Sequence, residues 1–231
     1  MSRVPALPDV ALDVWRFTAS RRLAVQVPPD GCRDLIVVVP RTGAPACFVS
    51  ALADSTETPG FAPGDRAVGV RLRPGAQFDE RALLALLRDG ERADDRDLFH
   101  AIGNAVRLDT QVRDALDCLQ EAPPLSVAQR RLGVSERSLE RLLTGGTGRS
   151  PLWWRNLARA RRCGRALAGP GVRAGAAPQP LPLPMAHLAD VHGYADQAHM
   201  ARDLRRWFGA PPTRLRAMPA FLSTLEAPAY A

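Results

Sequence analysis

The sequence contains no lysine, no C-x-x-C pair among its four cysteines, and no run of apolar residues that approaches a membrane span. Each absence excludes something. Without lysine there is no Gly-Lys-Ser/Thr ending for a phosphate-binding loop, so "TGGTGRS" is only faintly like one, and it follows a helical pattern instead of a strand. Cys32, Cys47, Cys118 and Cys163 are too scattered for a zinc knuckle or a disulfide framework, which predicts a reducing compartment. A membrane helix needs about 18 apolar residues in a row, and "MSRVPALPDVALDVWRF" lacks the apolar centre of a signal peptide. A cytoplasmic chain with no membrane partner is expected. Neither G-x-S-x-G nor H-E-x-x-H occurs, so no catalytic residue, metal or cofactor is expected either.

What the chain does have is arginine, unevenly placed. Residues 1–122 hold 15 arginines against 18 acids, whereas residues 123–231 hold 16 against 6. The 231 residues suffice for two domains, and a basic half joined to a nearly neutral one is the footprint of a polyanion-binding module, nucleic acid first. A merely solvated cationic face is the plainer alternative.

Between Arg21 and Arg73 short apolar runs broken by Pro and Gly, "RLAVQVPPDG", "DLIVVVPRTG", "ACFVSA" and "RAVGVRLRPG", predict strands of a small sheet or barrel. "FDERALLALLRDG" then sets Leu83, Leu84, Leu86 and Leu87 at helical spacing, with Gly90 as a stop, and "RLDTQVRDALDCLQEA" does the same with Val112, Leu116 and Leu119. "PPLSVAQRRLGVSERSLERLLTGG" predicts a helix, a turn at Gly133 and a second helix capped by Ser135, closed by Gly145 and Gly146. A longer helix starts at Pro151 and runs to Gly169. The Pro- and Gly-rich residues 169–184 predict a flexible or partly extended linker, and helices resume in "MAHLADVHGYADQAHMARDLRRWFG".

The two helical segments align at an offset of 61 residues without a gap over 28 positions. Ala128 pairs with Ala189, Leu139 with Met200, Arg141 with Arg202, Leu143 with Leu204, Gly148 with Gly209, Pro151 with Pro212 and Arg155 with Arg216. A small residue 11 positions before an apolar anchor suits two helices crossing closely, the geometry of a helix-turn-helix. The turn glycines Gly133 and Gly193 miss alignment by one residue, so the second copy turns earlier.

Through "LGVSERSLERLL", "GRSPLWW" and above all "HGYADQAHMARDLRRWFGAPPTRLR", residues 123–217 resemble the DNA-binding region of AraC/XylS-family transcriptional regulators. That region holds two helix-turn-helix units joined by a long helix. "VPPDGCRDLIVV" and "GVRLRPGA" look like the β-rich, cupin-like N-terminal domain of a subset of the family. The chain departs from the pattern in its longer, proline-rich stretch before the second unit. The resemblance implies an α+β chain: a β-barrel or sheet sensory domain over 1–78, a helical linker or dimerisation region over 79–122, tandem helix-turn-helix units over 123–217, and a tail over 218–231. Double-stranded DNA is the implied partner, with a small-molecule effector, a homodimer and contact with RNA polymerase as further implications.

A recognition helix reads bases with its outward side chains, and flanking residues hold phosphates. With recognition helices at about 136–144 and 196–208, the resemblance places base readers at Arg137, Glu140 and Arg141, and at Gln197, Ala198 and Arg202. Arg141 and Arg202 suit guanine, Gln197 adenine, and Glu140 a cytosine amino group. For Glu140 an ion pair along the helix stands as the alternative. Arg149, Arg155, Arg205, Arg206 and Arg214 are expected to take phosphates. His187, His192 and His199 share no helical face and lack a completing ligand, so no metal site is expected. Trp153 and Trp154 are expected to pack. In the N-terminal half Trp15, Phe17, Phe48, Phe61 and Phe78 are candidate lining for an effector pocket, with Arg33, Arg71 and Arg73 as anchors for an acidic ligand. Ordinary core is the plainer reading of the same aromatics.

Overall fold

The computed structural model describes residues 6–86, 95–168 and 183–231. Leu87, Gly90, Gly169 and most of the expected linker lie outside the described residues.

The N-terminal half is built on an antiparallel sheet. Strand β1 (Ala11–Thr18) is followed by the short β2 (Leu23–Ala24), then β3 (Arg33–Val39), β4 (Ala46–Val49), the short β5 (Gly60–Phe61), β6 (Arg66–Leu72) and the short β7 (Ala76–Gln77). The sheet order is β1-β6-β3-β4, and β2 pairs with β5 as a separate ribbon. Of the sheet or barrel expected, the sheet is what forms: the four strands are open, with β1 and β4 as its unpaired edges and no closed barrel among the described residues. Strand β1 was outside the expected set. Its "ALDVWRFT" puts charge on both faces, at Asp13 and Arg16, which erases the period-two signal.

Cross-strand register sorts the side chains. Leu35 lies opposite Val70 and Val49, and both Leu35 and Val37 are buried. That face packs under α1 (Glu80–Ala85) and α2 (Asp95–Ala105), through Leu83, Leu98, Phe99 and Ile102. Asp79 caps α1 by accepting from the Ala82 amide. The opposite face carries the row Trp15, Gly69, Ile36 and Phe48.

After β8 (Arg107–Leu108), which pairs with β7, the chain is helical: α3 (Thr110–Gln120), α4 (Leu125–Leu132), α5 (Glu136–Thr147), α6 (Pro151–Ala168), α7 (Met185–Val191), α8 (Gln197–Phe208), α9 (Pro212–Arg216) and α10 (Pro219–Thr224). Val112, Leu116 and Leu119 of α3 enter the same apolar core as Leu139, Leu143, Trp154, Met200 and Leu204. Residues 218–231 pack there too, burying Phe221, Leu222, Leu225 and Tyr230.

Helix ends follow their capping chemistry. Ser135 caps α5 through the Ser138 amide, and Asp196 caps α8 through the His199 amide at 2.6 Å. The sequence predicts that Gly145 and Gly146 close α5; instead the helix runs through them and ends at Gly148, which takes the left-handed conformation with φ 74°. Gly209 does the same for α8 at φ 76°, so the repeat is kept in its stops.

Candidate nucleic-acid interface

Each helix-turn-helix unit is held against α6. In the first, Leu139 and Leu143 are buried, Leu142 is half-buried, and Glu136, Arg137, Glu140, Arg141 and Thr144 face solvent. In the second, Met200, Leu204, Trp207 and Phe208 are buried, and Gln197, Ala198, Arg202, Arg205 and Arg206 are exposed. At the offset of 61, Glu136, Arg137, Arg141 and Thr144 correspond to Gln197, Ala198, Arg202 and Arg205, whereas Glu140 corresponds to the half-buried Ala201. Glu140 accepts from the Thr144 hydroxyl at 3.2 Å, and among the described residues it forms no ion pair.

Several expected side chains are used otherwise. His199 is half-buried, edge-on to Tyr194 with ring centroids 5.3 Å apart. Arg155 donates to the Pro123 carbonyl at 2.6 Å, and burial, with Arg159 nearby, lowers its pKa. Arg149 pairs with Asp54 at 2.8 Å, donates to the Leu52 carbonyl and lies over the Trp153 ring. Arg205, Arg206 and Arg214 remain exposed with no carboxylate partner among the described residues, and Arg206 lies over the Trp207 ring. Trp153 and Trp154 are packed, their indole N–H groups bound by Asp54 and Thr147.

Two connections that the sequence did not signal orient these units. Arg159 of α6 and Asp203 of α8 form an ion pair at 2.9 Å, each less than a tenth exposed. The second Asp203 oxygen accepts from Trp207 Nε1, and the Arg159 guanidinium lies 4.3 Å from the Tyr194 ring centroid. The other connection is the loop after β4. Asp54 holds Arg149 and Trp153, while Thr56 donates from its amide and its hydroxyl to the Trp207 carbonyl at 2.9 and 3.1 Å. One loop of the sheet domain therefore touches both helix-turn-helix units.

The "PPDGC" turn is a second joint. A Cβ on Gly31 would lie 2.7 Å from Tyr230 and 2.9 Å from Trp154, and φ is 72° there, so glycine permits both the turn and the contact. Arg161, buried in α6, donates to the carbonyls of Pro29, Leu225 and Ala231, and burial lowers its pKa to about 10. Burial raises the Asp30 pKa against the pull of Arg71.

Trp15, Phe17, Phe48 and Arg71 share a face of the sheet, and none of them lines the cavity that Arg33, Arg73 and Phe78 border. Trp15 lies flat over Gly69 and donates to Asp34 at 2.8 Å; Phe17 packs on Phe61; Phe48 is 42% exposed. Arg71 is held by Asp30, Asp34 and the Pro228 carbonyl.

Among the described residues no three His, Cys, Asp or Glu side chains converge as metal ligands, and no helix is long and apolar enough to cross a membrane. Burial raises the pKa of Cys32 and Cys47, and of Cys163 to about 12.

Comparison with known proteins agrees with this geometry in the C-terminal half. Residues 128–218 match a family described as "Helix-turn-helix domain". This segment is an AraC-type helix-turn-helix domain, a DNA-binding module of transcriptional regulators. None of the curated proteins matches the sequence. Among solved structures the chain is similar to the C-terminal domain of AraT, a response regulator from Geobacillus stearothermophilus, with TM-score 0.39 and 21% identity over 48% of this chain and 88% of that one. It is also similar to ToxT from Vibrio cholerae, with TM-score 0.42 and 9% identity over 89% and 97%. ToxT bound to (E)-4-(8-methylnaphthalen-1-yl)but-3-enoic acid gives 0.44 and 10% over 92% and 98%. At such identities and scores the likeness carries no functional weight.

Proposed function

We propose that the chain is a sequence-specific transcriptional regulator whose helices α5 and α8 enter successive major-groove segments of one duplex, about one helical turn or 34 Å apart. The observation that carries this reading is the repeated register. Arg137, Glu140 and Arg141 on α5, and Gln197, Ala198 and Arg202 on α8, are exposed over buried stripes that pin each helix to α6.

In this reading Arg141 and Arg202 take guanine O6 and N7 together, each discriminating by about 1–3 kcal/mol, and Gln197 reads adenine. Glu140, which has no ion pair among the described residues, accepts from a cytosine amino group. Phosphate contacts fall to Arg205, Arg206 and Arg214, because Arg149 and Arg155 are engaged within the protein. Control comes from the sheet domain, by an effector or by dimerisation, acting through the joints at Asp54 and Gly31. An alkyl-transfer protein using the same module would need an activated thiolate. The raised pKa values of Cys32, Cys47 and Cys163 favour the regulator instead.

Selection of bound sequences from random duplex DNA tests the reading. Wild type is expected to enrich a motif, and Arg202→Ala to relax one position of it. Raising salt should lower log K by about 0.9 per unit log salt for each phosphate neutralised. An absence of any enriched motif would overturn the regulator, whereas a motif unaltered by Arg202→Ala would overturn only the assignment of that side chain.

A further inference from the structure

A cavity of about 300 Å³ lies where the sheet domain meets the end of α5. Its walls include Arg33 at the start of β3, Arg73, Gln77 and Phe78 around the β6–β7 turn, Leu52, and the end of α5 from Gly145 to its cap Gly148. Two cations face this space, and the lining contains no carboxylate. The Arg33 guanidinium lies 5.5 Å from the Phe78 ring centroid, and Arg73 uses Nε on the Asp9 carbonyl at 2.5 Å. Among the described residues neither has an acidic partner. The joint at Arg71 makes the contrast, because there Asp30 and Asp34 already balance the charge. Guanidinium groups sharing a concave site without an acid are matched by carboxylate or phosphate oxygens, which they bind with paired N–H donors.

We propose that this cavity binds a small oxyanion, a carboxylate or a phosphate ester, held by Arg33 and Arg73 with Phe78 against its body. The site is continuous with the loop that grips the helix-turn-helix units. Leu52 forms part of its wall, and the Leu52 carbonyl accepts from Arg149 at 2.8 Å. Gly148, also in the wall, is adjacent in sequence to Arg149. An occupant therefore bears on the loop whose Asp54 holds Arg149 and Trp153 and whose Thr56 reaches the Trp207 carbonyl, and in that role the proposal rests on the regulator reading. Gly145 and Gly148 leave room, since a Cβ on either would meet nothing within 4 Å.

The test is a titration of the full chain with citrate and with inorganic phosphate, without DNA, read by the amide resonances of Gly145, Gly146 and Gly148 and the indole N–H of Trp153. Saturable shifts with either probe are expected, and which probe acts separates carboxylate from phosphate recognition. Arg33→Gln should weaken the response by at least about tenfold. Gly145→Glu adds a negative charge at the wall at a position where a Cβ meets nothing within 4 Å, and should do the same in a fully folded protein. Arg202→Ala should leave the response unchanged, which excludes anions gathered on the DNA-reading face. No saturable shift, or equal shifts in wild type and Gly145→Glu, would overturn the proposal. Because DNA is absent, such a failure is distinct from failure to enrich a DNA motif.

Discussion

Asp54 and Arg149 are 95 residues apart in sequence and 2.8 Å apart in space, and their ion pair ties the sheet domain to the turn between the first helix-turn-helix unit and α6. The other Asp54 oxygen accepts from the Trp153 indole at 2.6 Å. A single exposed pair of this kind contributes little, but the indole bond and the two Thr56 bonds to the Trp207 carbonyl share the same loop.

Replacing Asp54 separates these contributions. Asp54→Ala removes the pair and strands a partly buried indole N–H, with an expected loss of about 1–2 kcal/mol in urea denaturation. Asp54→Asn keeps an acceptor for Trp153 and loses only the charge, so a loss below about 1 kcal/mol is expected. Equal losses from both variants would show that the indole bond adds nothing.

The Arg159–Asp203 pair is of another kind, because both side chains are buried. Asp203→Ala leaves an uncompensated guanidinium beside Tyr194 and removes the acceptor for Trp207. A loss of about 3–5 kcal/mol is expected, together with loss of DNA affinity as α8 releases from α6. The double variant Arg159→Met with Asp203→Leu should recover most of the stability, since apolar side chains of similar size often replace a buried pair at no cost. Urea denaturation of the three proteins measures it; a double variant as unstable as Asp203→Ala would refute the account.

These joints divide what was legible in the sequence from what was not. The recognition helices were legible because an offset of 61 residues repeats buried stripe, outward arginine, stop glycine and N1 proline together. The sheet strands β3 and β6 were legible as apolar runs between turn residues. Helix α2 went unread although Leu98, Ile102 and Val106 recur every four residues, because its Gly103 and polar start weaken the signal. Asp54, Thr56 and Asp203 had no signal at all. Each is an ordinary polar residue in sequence, and its role arises only when chain distant by 44 to 151 residues is brought against it. The same holds for Arg149 and Arg155, whose charge suggested phosphate and whose surroundings supply carboxylate and carbonyl partners instead.

Adjacent glycines at the end of α5 should respond in opposite directions to the same change. Both are helical, where glycine costs about 0.5–1 kcal/mol relative to alanine. A Cβ on Gly145 meets nothing within 4 Å, so Gly145→Ala is expected to raise stability by up to about that amount. A Cβ on Gly146 would lie 2.5 Å from Val112 Cγ2 and 3.2 Å from Gln77 Nε2. Val112 is buried in α3 and cannot swing into solvent, so Gly146→Ala forces α5 away from α3 at a cost of about 1–3 kcal/mol. Thermal or urea unfolding of the two variants reads this directly. If Gly146→Ala proved as stable as Gly145→Ala, the close approach of α5 to α3 would be wrong, and with it the wall that Gly146 contributes to the cavity beside Arg33.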